Sequence, residues 1–379
     1  MSNWAPHFYR KTAESLGCPP DSIALLITEG NRLDALGIPV IFTLGHLASI
    51  CGVPYDLLDK AVKRLSDPYR VFRMRKRSGG YRQICIPESY LLTVQHWIHK
   101  NILLDRPLHH VSMAFAPGCD PLTNANRHAG ARWLVKLDVA SFFESLSERQ
   151  VYRVFRKIGY PALLAFQFTR LCTRTPQISP QRKNKYRKLR WKTRSSKYCL
   201  FASENLGHLP QGAPTSPMLA NLICAELDEM LAGCASEFGC VVTRYADDIV
   251  FSASTLTRQD ATEIIKRSSA IIGRFGLHRR NGKTHVSPPG TRRVVTGLLV
   301  DGCNPRLPKE FRERILLHLY HAKRQGLPEH CKHRRFRSLI GFRAHLGGLI
   351  TYAEHVEPAF GAKCRAEFEA LPWGDLSFF

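Results

Sequence analysis

The pattern of apolar and polar positions is most informative at residues 243–252, which read T-R-Y-A-D-D-I-V-F-S and contain two acidic residues in an apolar run. Strand-forming side chains lie on both sides of Asp247 and Asp248, so the pattern predicts a β-hairpin with the two carboxylates at its turn. Two neighbouring carboxylates repel each other, and the site therefore needs a proton, a cationic side chain or a metal ion. Arg244 is close in sequence, but it points to the opposite face from its strand neighbours.

Two interpretations of this turn remain open at this point. Aspartate is common in tight turns, so the pair could be a solvated turn without chemistry. The alternative is that the turn holds divalent cations for phosphoryl transfer, in which two metal ions activate the attacking oxygen and stabilise the leaving oxygen. That second interpretation requires a third carboxylate at the end of another buried strand.

A candidate for the third carboxylate is Asp138, near the end of the apolar stretch W-L-V-K-L-D-V at residues 133–139. This stretch predicts a buried strand, where an unpaired charge is costly. Asp138 therefore needs a partner, and the Asp247–Asp248 turn is the best candidate. The alternative is that Asp138 caps a helix predicted at residues 145–158.

Most of the other hydrophobic periodicity is helical. Capping and amphipathic patterns predict short helices within residues 36–65 and longer ones at 91–104, 308–325 and 334–354. A different pattern occurs at residues 71–87, where the side chains alternate as in a β-hairpin with its turn at Gly79-Gly80. This segment carries many arginines and lysines. This basic hairpin is either a solvated surface or a cover that places cations over a triphosphate.

Residues 209–221, L-P-Q-G-A-P-T-S-P-M-L-A-N, lie between the two acidic segments. Two Gly/Pro-rich turns come directly before a predicted helix, so exposed backbone N–H groups and the helix dipole suit a phosphate or a template strand. Such turns are common in loops, and it is the position between the acidic segments that makes this one informative.

Composition indicates a nucleic-acid partner. The 379 residues are 44% hydrophobic, which is typical of a folded protein, and 55 Lys and Arg against 31 acidic residues give a net charge of +24. Residues 1–21 have no apolar core of a secretory signal, and the longest uncharged stretch, 35–55, is broken by glycine and proline. We therefore expect a cytoplasmic protein with no membrane partner.

The cysteines and histidines do not predict a metal site. Twelve cysteines occur without a C-x-x-C pair, so most are expected to be buried thiols in a reducing compartment. His330, Cys331 and His333 are close in sequence but lack a second pair of ligands, which disfavours zinc there.

The order of these segments resembles the successive sequence blocks of reverse transcriptases. The blocks are K-R-S-G-G-Y-R-Q-I-C-I-P at 76–87, L-D-V-A-S-F-F at 137–143, L-P-Q-G-A-P-T-S-P at 209–217, Y-A-D-D at 245–248 and N-G-K-T at 281–284. The resemblance covers roughly residues 37–358 and implies an α+β right-hand polymerase, with an antiparallel-sheet palm, fingers and a helical thumb.

The resemblance also implies domain boundaries. They are an N-terminal helical extension at 1–67, fingers at 68–136 and 150–208 with a basic insertion at about 174–208, a palm at 137–149 and 209–300, and a thumb at 301–379.

Residue roles follow from the same matches. Asp138, Asp247 and Asp248 resemble the catalytic triad that binds two Mg²⁺ ions, and Phe143 resembles the aromatic residue that excludes a ribose hydroxyl and selects deoxynucleoside triphosphates. The other implied nucleotide-binding residues are Gln211 beside the primer end, Lys76 and Arg82 on the triphosphate, and Lys283, expected to support the active site from its own strand.

Two short elements narrow the resemblance to the retron reverse transcriptases of bacteria. Residues 124–128, from Asn124 to His128, resemble the N-A-x-x-H element, and Val295, Thr296 and Gly297 resemble the V-T-G element. Helix capping is the alternative for the first. The resemblance implies that these residues bind a cognate structured noncoding RNA, which the enzyme copies from a guanosine 2′-hydroxyl into a branched RNA–DNA hybrid.

Further partners are implied in the same way. Retrons usually act in antiphage defence with a toxic partner, which we expect to be a separate effector protein. No ribonuclease H block is present, so template removal is expected to use a host ribonuclease H.

The basic insertion is a departure from related enzymes, which often have a shorter connection. Residues 181–197 contain nine Lys or Arg, no acid, and two aromatics. Charge with interleaved aromatics suits RNA, whereas a solvated basic loop is the alternative. The candidate RNA contacts are Arg182, Lys183, Lys185, Arg187, Lys188 and Arg190.

Two other functions remain open. A defence-type reverse transcriptase could extend DNA without a template or from a protein primer, and a defined copurifying RNA would argue against it. A non-catalytic RNA-binding scaffold is disfavoured by the intact aspartates.

Overall fold

The structure is a computed structural model that describes residues 4–75, 79–175 and 206–373. Its first elements are helices α1 Pro6–Ser15, α2 Pro20–Ala35, α3 Leu44–Cys51 and α4 Tyr55–Val62. The last two confirm the short helices predicted within residues 36–65. Thr43 begins α3 by accepting a hydrogen bond from the His46 backbone N–H at 3.0 Å.

An antiparallel hairpin follows, formed by β1 Tyr69–Arg75 and β2 Tyr81–Pro87. Most of its side chains are exposed. Gly79 and Gly80 both have positive φ, a conformation that glycine adopts without steric cost, and they occur where the turn was predicted.

The middle of the chain alternates helices with the strands of the central sheet. In order the elements are α5 Ser89–Ile98, extended by a π-helical turn His99–Leu103, α6 Pro121–Asn126, β3 Trp133–Asp138, α7 Phe142–Ser145, α8 Glu148–Ile158, α9 Ala162–Cys172, α10 Ser216–Ile223, α11 Ala225–Glu237, β4 Val241–Tyr245, β5 Asp248–Ala253, α12 Arg258–Arg274, a 3₁₀ turn Asn281–Lys283, and β6 His285–Ser287. The helix predicted at 145–158 begins later, at Glu148, because Ser147 and Gln150 form a capping box that starts α8.

The central sheet has the strand order β4-β5-β3-β6, and every neighbouring pair is antiparallel. Alternation along the strands gives the sheet two different faces. One face carries Val135, Leu137 and Ile249, which belong to the larger hydrophobic core with the surrounding helices. The other face carries Leu134 and Val250, which pack into a second core with the C-terminal helices.

The C-terminal part begins with a short strand pair, β7 Val294–Val295 and β8 Leu298–Leu299, followed by helices α13 Lys309–Gln325, α14 Leu327–His333, α15 Leu339–Val356 and α16 Pro358–Glu369. The helix predicted at 334–354 begins later, because Ser338 caps α15 through the Gly341 backbone N–H at 3.0 Å. Within the described residues, no helix is long and apolar enough to cross a membrane.

The described cysteines are free thiols, and Cys85, Cys172, Cys224, Cys234, Cys331 and Cys364 are buried, as expected. His330, Cys331 and His333 lie in helix α14. There, His330 shares a hydrogen bond with His318 at 3.0 Å.

Candidate active site

The three predicted aspartates meet at one end of the central sheet. Asp138 ends β3 and lies directly opposite Asp248, the first residue of β5. Asp247 lies in the turn between β4 and β5, where its backbone oxygen accepts a hydrogen bond from Val139 N–H at 2.9 Å. The hairpin with an acidic turn is therefore confirmed, and the alternative in which Asp138 caps a helix is wrong.

Burial and mutual repulsion shape the electrostatics of this cluster. Burial raises the pKa of Asp247, and the charge of Asp138 raises it further. Burial likewise raises the pKa of Asp248, with an additional contribution from Asp247. Both shifts mean that the ionised cluster lacks positive charge, which a bound cation would supply.

Asp138 is 3% exposed and has two cationic neighbours. Lys283 Nζ donates to its Oδ2 at 2.7 Å, and Arg280 Nε lies 3.3 Å from its Oδ1. Lys283 was expected on a strand of its own, but it lies in the 3₁₀ turn before β6. From there its flexible side chain reaches the end of β3.

A divalent cation fits the donor chemistry of this cluster. Carboxylate oxygens are the ligands that Mg²⁺ prefers, and two of the three carboxyl groups have raised pKa values that a cation would relieve. Within the described residues, however, no group of three acidic, histidine or cysteine side chains is arranged to hold a metal ion as it stands. Lys283 already donates to Asp138 Oδ2, whereas Asp138 Oδ1 has no hydrogen-bond partner among the described residues.

An aromatic cluster lies beside the aspartates. Phe143 is half-buried, and its ring centroid is 6.3 Å from that of Phe115, which in turn lies 6.3 Å from Tyr245. Sequence reasoning missed Phe115, which has a φ of +65° although it is not glycine. Residues held in this strained region cluster at functional sites, so Phe115 belongs with the candidate residues.

The loop before α10 contacts the basic hairpin. The Gln211 backbone oxygen accepts a hydrogen bond from Cys85 N–H of β2 at 2.8 Å. A side chain at Gly212 would come within 2.9 Å of Ile84, so this close approach requires glycine. Arg82 is exposed on the same strand, opposite Met74. Lys76 lies outside the described residues.

A buried ion pair, also missed from the sequence, lies behind the acidic turn. Arg244 and Asp228 are both completely buried, and Arg244 donates to the two Asp228 carboxylate oxygens at 2.6 and 2.7 Å. Arg244 also donates to Asn221 Oδ1 at 3.2 Å and to the Ala246 backbone oxygen at 3.4 Å. The guanidinium therefore connects helices α10 and α11 to the turn that carries Asp247.

The two short elements predicted to contact RNA lie against each other. Thr296 Oγ1 donates to the Pro121 backbone oxygen at 2.7 Å, which joins the V-T-G strand pair to α6. Asn124, His128 and Val295 are each at most 1% exposed. Burial keeps these three side chains away from the protein surface, which disfavours direct RNA contact by them, whereas Gly297 is exposed and Thr296 half-buried. A role of the two elements in RNA recognition stays a prediction.

Asn124 differs from the other buried polar residues of this region. Neither its amide nitrogen nor its amide oxygen has a hydrogen-bond partner within the part of the chain that the structure describes. The candidate RNA contacts of the basic insertion, Arg182, Lys183, Lys185, Arg187, Lys188 and Arg190, lie outside the described residues.

Comparison with known proteins agrees with this geometry. The sequence profile of the family described as "Reverse transcriptase (RNA-dependent DNA polymerase)" matches residues 74–294. The chain is 30% identical over 339 residues to the Retron Ec86 reverse transcriptase of Escherichia coli, covering 87% of this chain and 94% of that protein. This chain belongs to the retron reverse transcriptases.

Two other known proteins are also similar to this chain. The chain is 30% identical to the Retron Mx162 reverse transcriptase of Myxococcus xanthus, covering 80% of this chain and 61% of that protein. A solved foamy viral protease-reverse transcriptase in complex with double-stranded DNA is similar with a TM-score of 0.41 and 14% identity, covering 79% of this chain and 38% of that one.

The predicted enzyme class is thereby confirmed. As a retron reverse transcriptase the chain is an RNA-directed DNA polymerase, a family that generally uses divalent metal ions. Its mixture of helices and antiparallel sheets agrees with the predicted α+β polymerase fold.

Proposed function

We propose that this retron reverse transcriptase copies part of its own structured noncoding RNA into branched, multicopy single-stranded DNA. Synthesis starts from the 2′-hydroxyl of a guanosine and uses deoxynucleoside triphosphates. The observation that carries the proposal is the contact between α6 and the V-T-G strand pair at Thr296 and Pro121. Helix α6, which contains Asn124, and the V-T-G strand pair are thus joined by a contact between residues 175 positions apart.

Two Mg²⁺ ions are the cofactors in this proposal, held by Asp138, Asp247 and Asp248. When bound, they activate the attacking hydroxyl and stabilise the leaving phosphate oxygen. The chain itself fixes the carboxylates through strand register, and Lys283 neutralises Asp138 at 2.7 Å. Gln211 lies where the loop before α10 meets the basic hairpin, so Arg82 of that hairpin would face the triphosphate. The same role is proposed for Lys76 from its sequence block alone.

The proposed domains follow the predicted boundaries except at the start of the palm, because β3 begins at Trp133 whereas the palm was predicted from residue 137. The β1–β2 hairpin belongs to the fingers, the central sheet to the palm, and helices α13 to α16 to the thumb. Net charge of +24 supports a nucleic-acid partner. The lysines and arginines at 182–190 are proposed to bind the RNA backbone without sequence preference.

The cellular setting is the last part of the proposal. The enzyme acts in the bacterial cytoplasm, in antiphage defence, together with a separate toxic effector protein. A host ribonuclease H removes the copied RNA.

The test is to sequence the nucleic acid that copurifies with the protein from bacteria expressing its native locus. We expect one defined RNA joined through an internal guanosine 2′-hydroxyl to one DNA. The Asp247→Asn/Asp248→Asn variant is the control, and it should carry the RNA without the DNA. DNA of undefined sequence, or DNA linked to protein, would instead support an untemplated or protein-primed polymerase, and RNA with no DNA in the unaltered protein would support a scaffold.

A second expected result concerns sugar selection by Phe143. Phe143→Ala should raise incorporation of ribonucleotides relative to deoxynucleotides by about tenfold or more, because the lost ring leaves space for one hydroxyl group. Competition between the two nucleotide types in primer extension measures this ratio. Phe166→Ala is the control, because Phe166 is an exposed aromatic residue of α9. An unchanged ratio in Phe143→Ala would assign the selection to another residue.

A further inference from the structure

His128 bridges the two strands that carry the catalytic turn. Its ring is 1% exposed, and its two nitrogens have different partners. Nδ1 lies 2.7 Å from Ser252 Oγ of β5, and Nε2 lies 2.7 Å from Thr243 Oγ1 of β4. One side chain from outside the sheet therefore holds both strands of the hairpin.

The register of the hairpin explains why this bridge affects the turn. Thr243 pairs with Val250 and Ser252 pairs with Val241, so the two hydroxyl groups are diagonal neighbours on one face. Asp248 lies on this same face, four residues before Ser252 and about 13 Å away along the strand. A change in the spacing or twist of the strands at His128 would therefore change the position of Asp248.

The protonation state of the His128 ring determines how many hydrogen bonds it can donate. Burial lowers the pKa of His128 to about 3, so the imidazole is neutral at physiological pH. A neutral imidazole has one N–H donor and one bare nitrogen, so it donates to one hydroxyl group and accepts from the other. Removing any of the three side chains leaves a buried polar group without its partner.

The segment that carries His128 is attached to other parts of the chain. Arg132 N–H donates to the Ala253 backbone oxygen at the end of β5, and Gly130 N–H donates to the Val300 oxygen beyond β8, both at 3.1 Å. Asp120 begins α6 by accepting from Thr123 N–H at 2.7 Å, and its other oxygen lies 3.3 Å from His355 of α15. The segment thus connects the hairpin to the V-T-G strand pair and to the C-terminal helices.

We propose that His128 is a positioning residue for DNA synthesis, which sets the spacing of β4 and β5 and so holds Asp247 and Asp248 in register with Asp138. It touches neither nucleotide nor RNA. Because of this bridge, a shift of the segment at residues 120–132 would also move the catalytic turn.

Single-turnover primer extension on a generic RNA template tests the proposal. In His128→Leu, which keeps an apolar side chain but has no hydrogen-bonding atoms, we expect the rate of incorporation at saturating nucleotide to fall about tenfold or more. The dissociation constants of nucleotide and primer–template should stay within about threefold, because the binding surfaces are untouched. His128→Gln, which supplies one donor and one acceptor, should restore most of the rate.

Two further variants test the contact between His128 and Thr243. Thr243→Val removes one hydroxyl at nearly constant volume and should reproduce part of the rate loss. Combined with His128→Leu, it should add little, because the shared interaction is already absent. Additive losses in the double variant would contradict the bridge.

Stability must be separated from positioning. Leu164→Ala is the matched control, because Leu164 is a buried residue of α9 outside the central sheet and its truncation also destabilises the protein. It should lower the melting temperature without lowering the rate in folded enzyme.

The proposal is overturned if His128→Leu keeps its rate within about twofold, if nucleotide affinity falls as much as the rate, or if Leu164→Ala slows incorporation equally. If His128→Leu does not fold, Thr243→Val and His128→Gln decide the question by the same ratio of rate to affinity.

Discussion

Asp247→Asn combined with Asp248→Asn is expected to reduce primer extension with Mg²⁺ by more than about 100-fold, because metal catalysis of phosphoryl transfer contributes several kcal/mol and each 1.4 kcal/mol is a factor of ten. Asparagine keeps the size of aspartate, so the hairpin should still form. It removes the negative charges that a divalent cation would neutralise, and it relieves the burial of charge and the repulsion that together raise the pKa of both groups. The double variant should consequently be at least as stable as the unaltered protein.

RNA affinity is the second measurement on this variant. It should stay within a few fold, because phosphate contacts come from basic surfaces and not from the acidic turn. Asp56→Asn with Asp59→Asn, on helix α4, is the matched control and makes the same chemical change at two acids paired with lysines on α4. Activity of the turn variant above about a hundredth of the unaltered level would contradict the assignment of these aspartates.

The catalytic hairpin could be predicted because its signal is local. Strand-forming residues surround Asp247 and Asp248, and the turn forms where the pattern breaks. Asp138 could be predicted because a charge at the end of an apolar strand needs a partner. Asp138 does lie opposite Asp248, but the side chains that compensate its charge are Lys283 and Arg280.

The burial of Asn124 and His128 could not be predicted, because sequence gives the identity of a side chain and not its depth. Asn124 and His128 are polar residues in a short motif, which suggested contact with RNA. The structure places them between the sheet and the second core, where His128 satisfies its hydrogen bonds with two hydroxyl groups of the hairpin. Burial follows from the packing of α6 on β7 and β8, which depends on residues far apart in sequence.

Lys283 and Phe115 illustrate two other limits. The sequence block containing Lys283 indicated that it supports the site, but whether it does so from a strand or a turn depends on where β6 begins. Phe115 gave no signal, because a positive φ at a non-glycine residue is not visible in the residue type.

Arg244→Ala is expected to lower the free energy of unfolding by about 3–5 kcal/mol, because it leaves the Asp228 carboxylate buried without its cation. Strand alternation had placed Arg244 away from the catalytic face, and the structure adds its partner on α11, with both side chains fully buried. Chemical denaturation measures the loss. Arg267→Ala is the control, since Arg267 pairs with Glu237 and Glu263 at the surface and exposed pairs contribute about 1 kcal/mol or less.

A double replacement separates the cost of an unpaired charge from the contribution of the pair itself. Arg244→Met with Asp228→Leu removes both charges and fills the space with apolar groups, so it should be more stable than Arg244→Ala alone. Its polymerase activity should nevertheless be lower than that of the unaltered protein. The reason is that Arg244 also donates to the Ala246 backbone oxygen and so holds the turn, in which Ala246 has a φ of +56°. A double variant with restored stability and full activity would show that the ion pair stabilises the fold without positioning Asp247, and it would leave the bridge at His128 as the contact that determines the geometry of the hairpin.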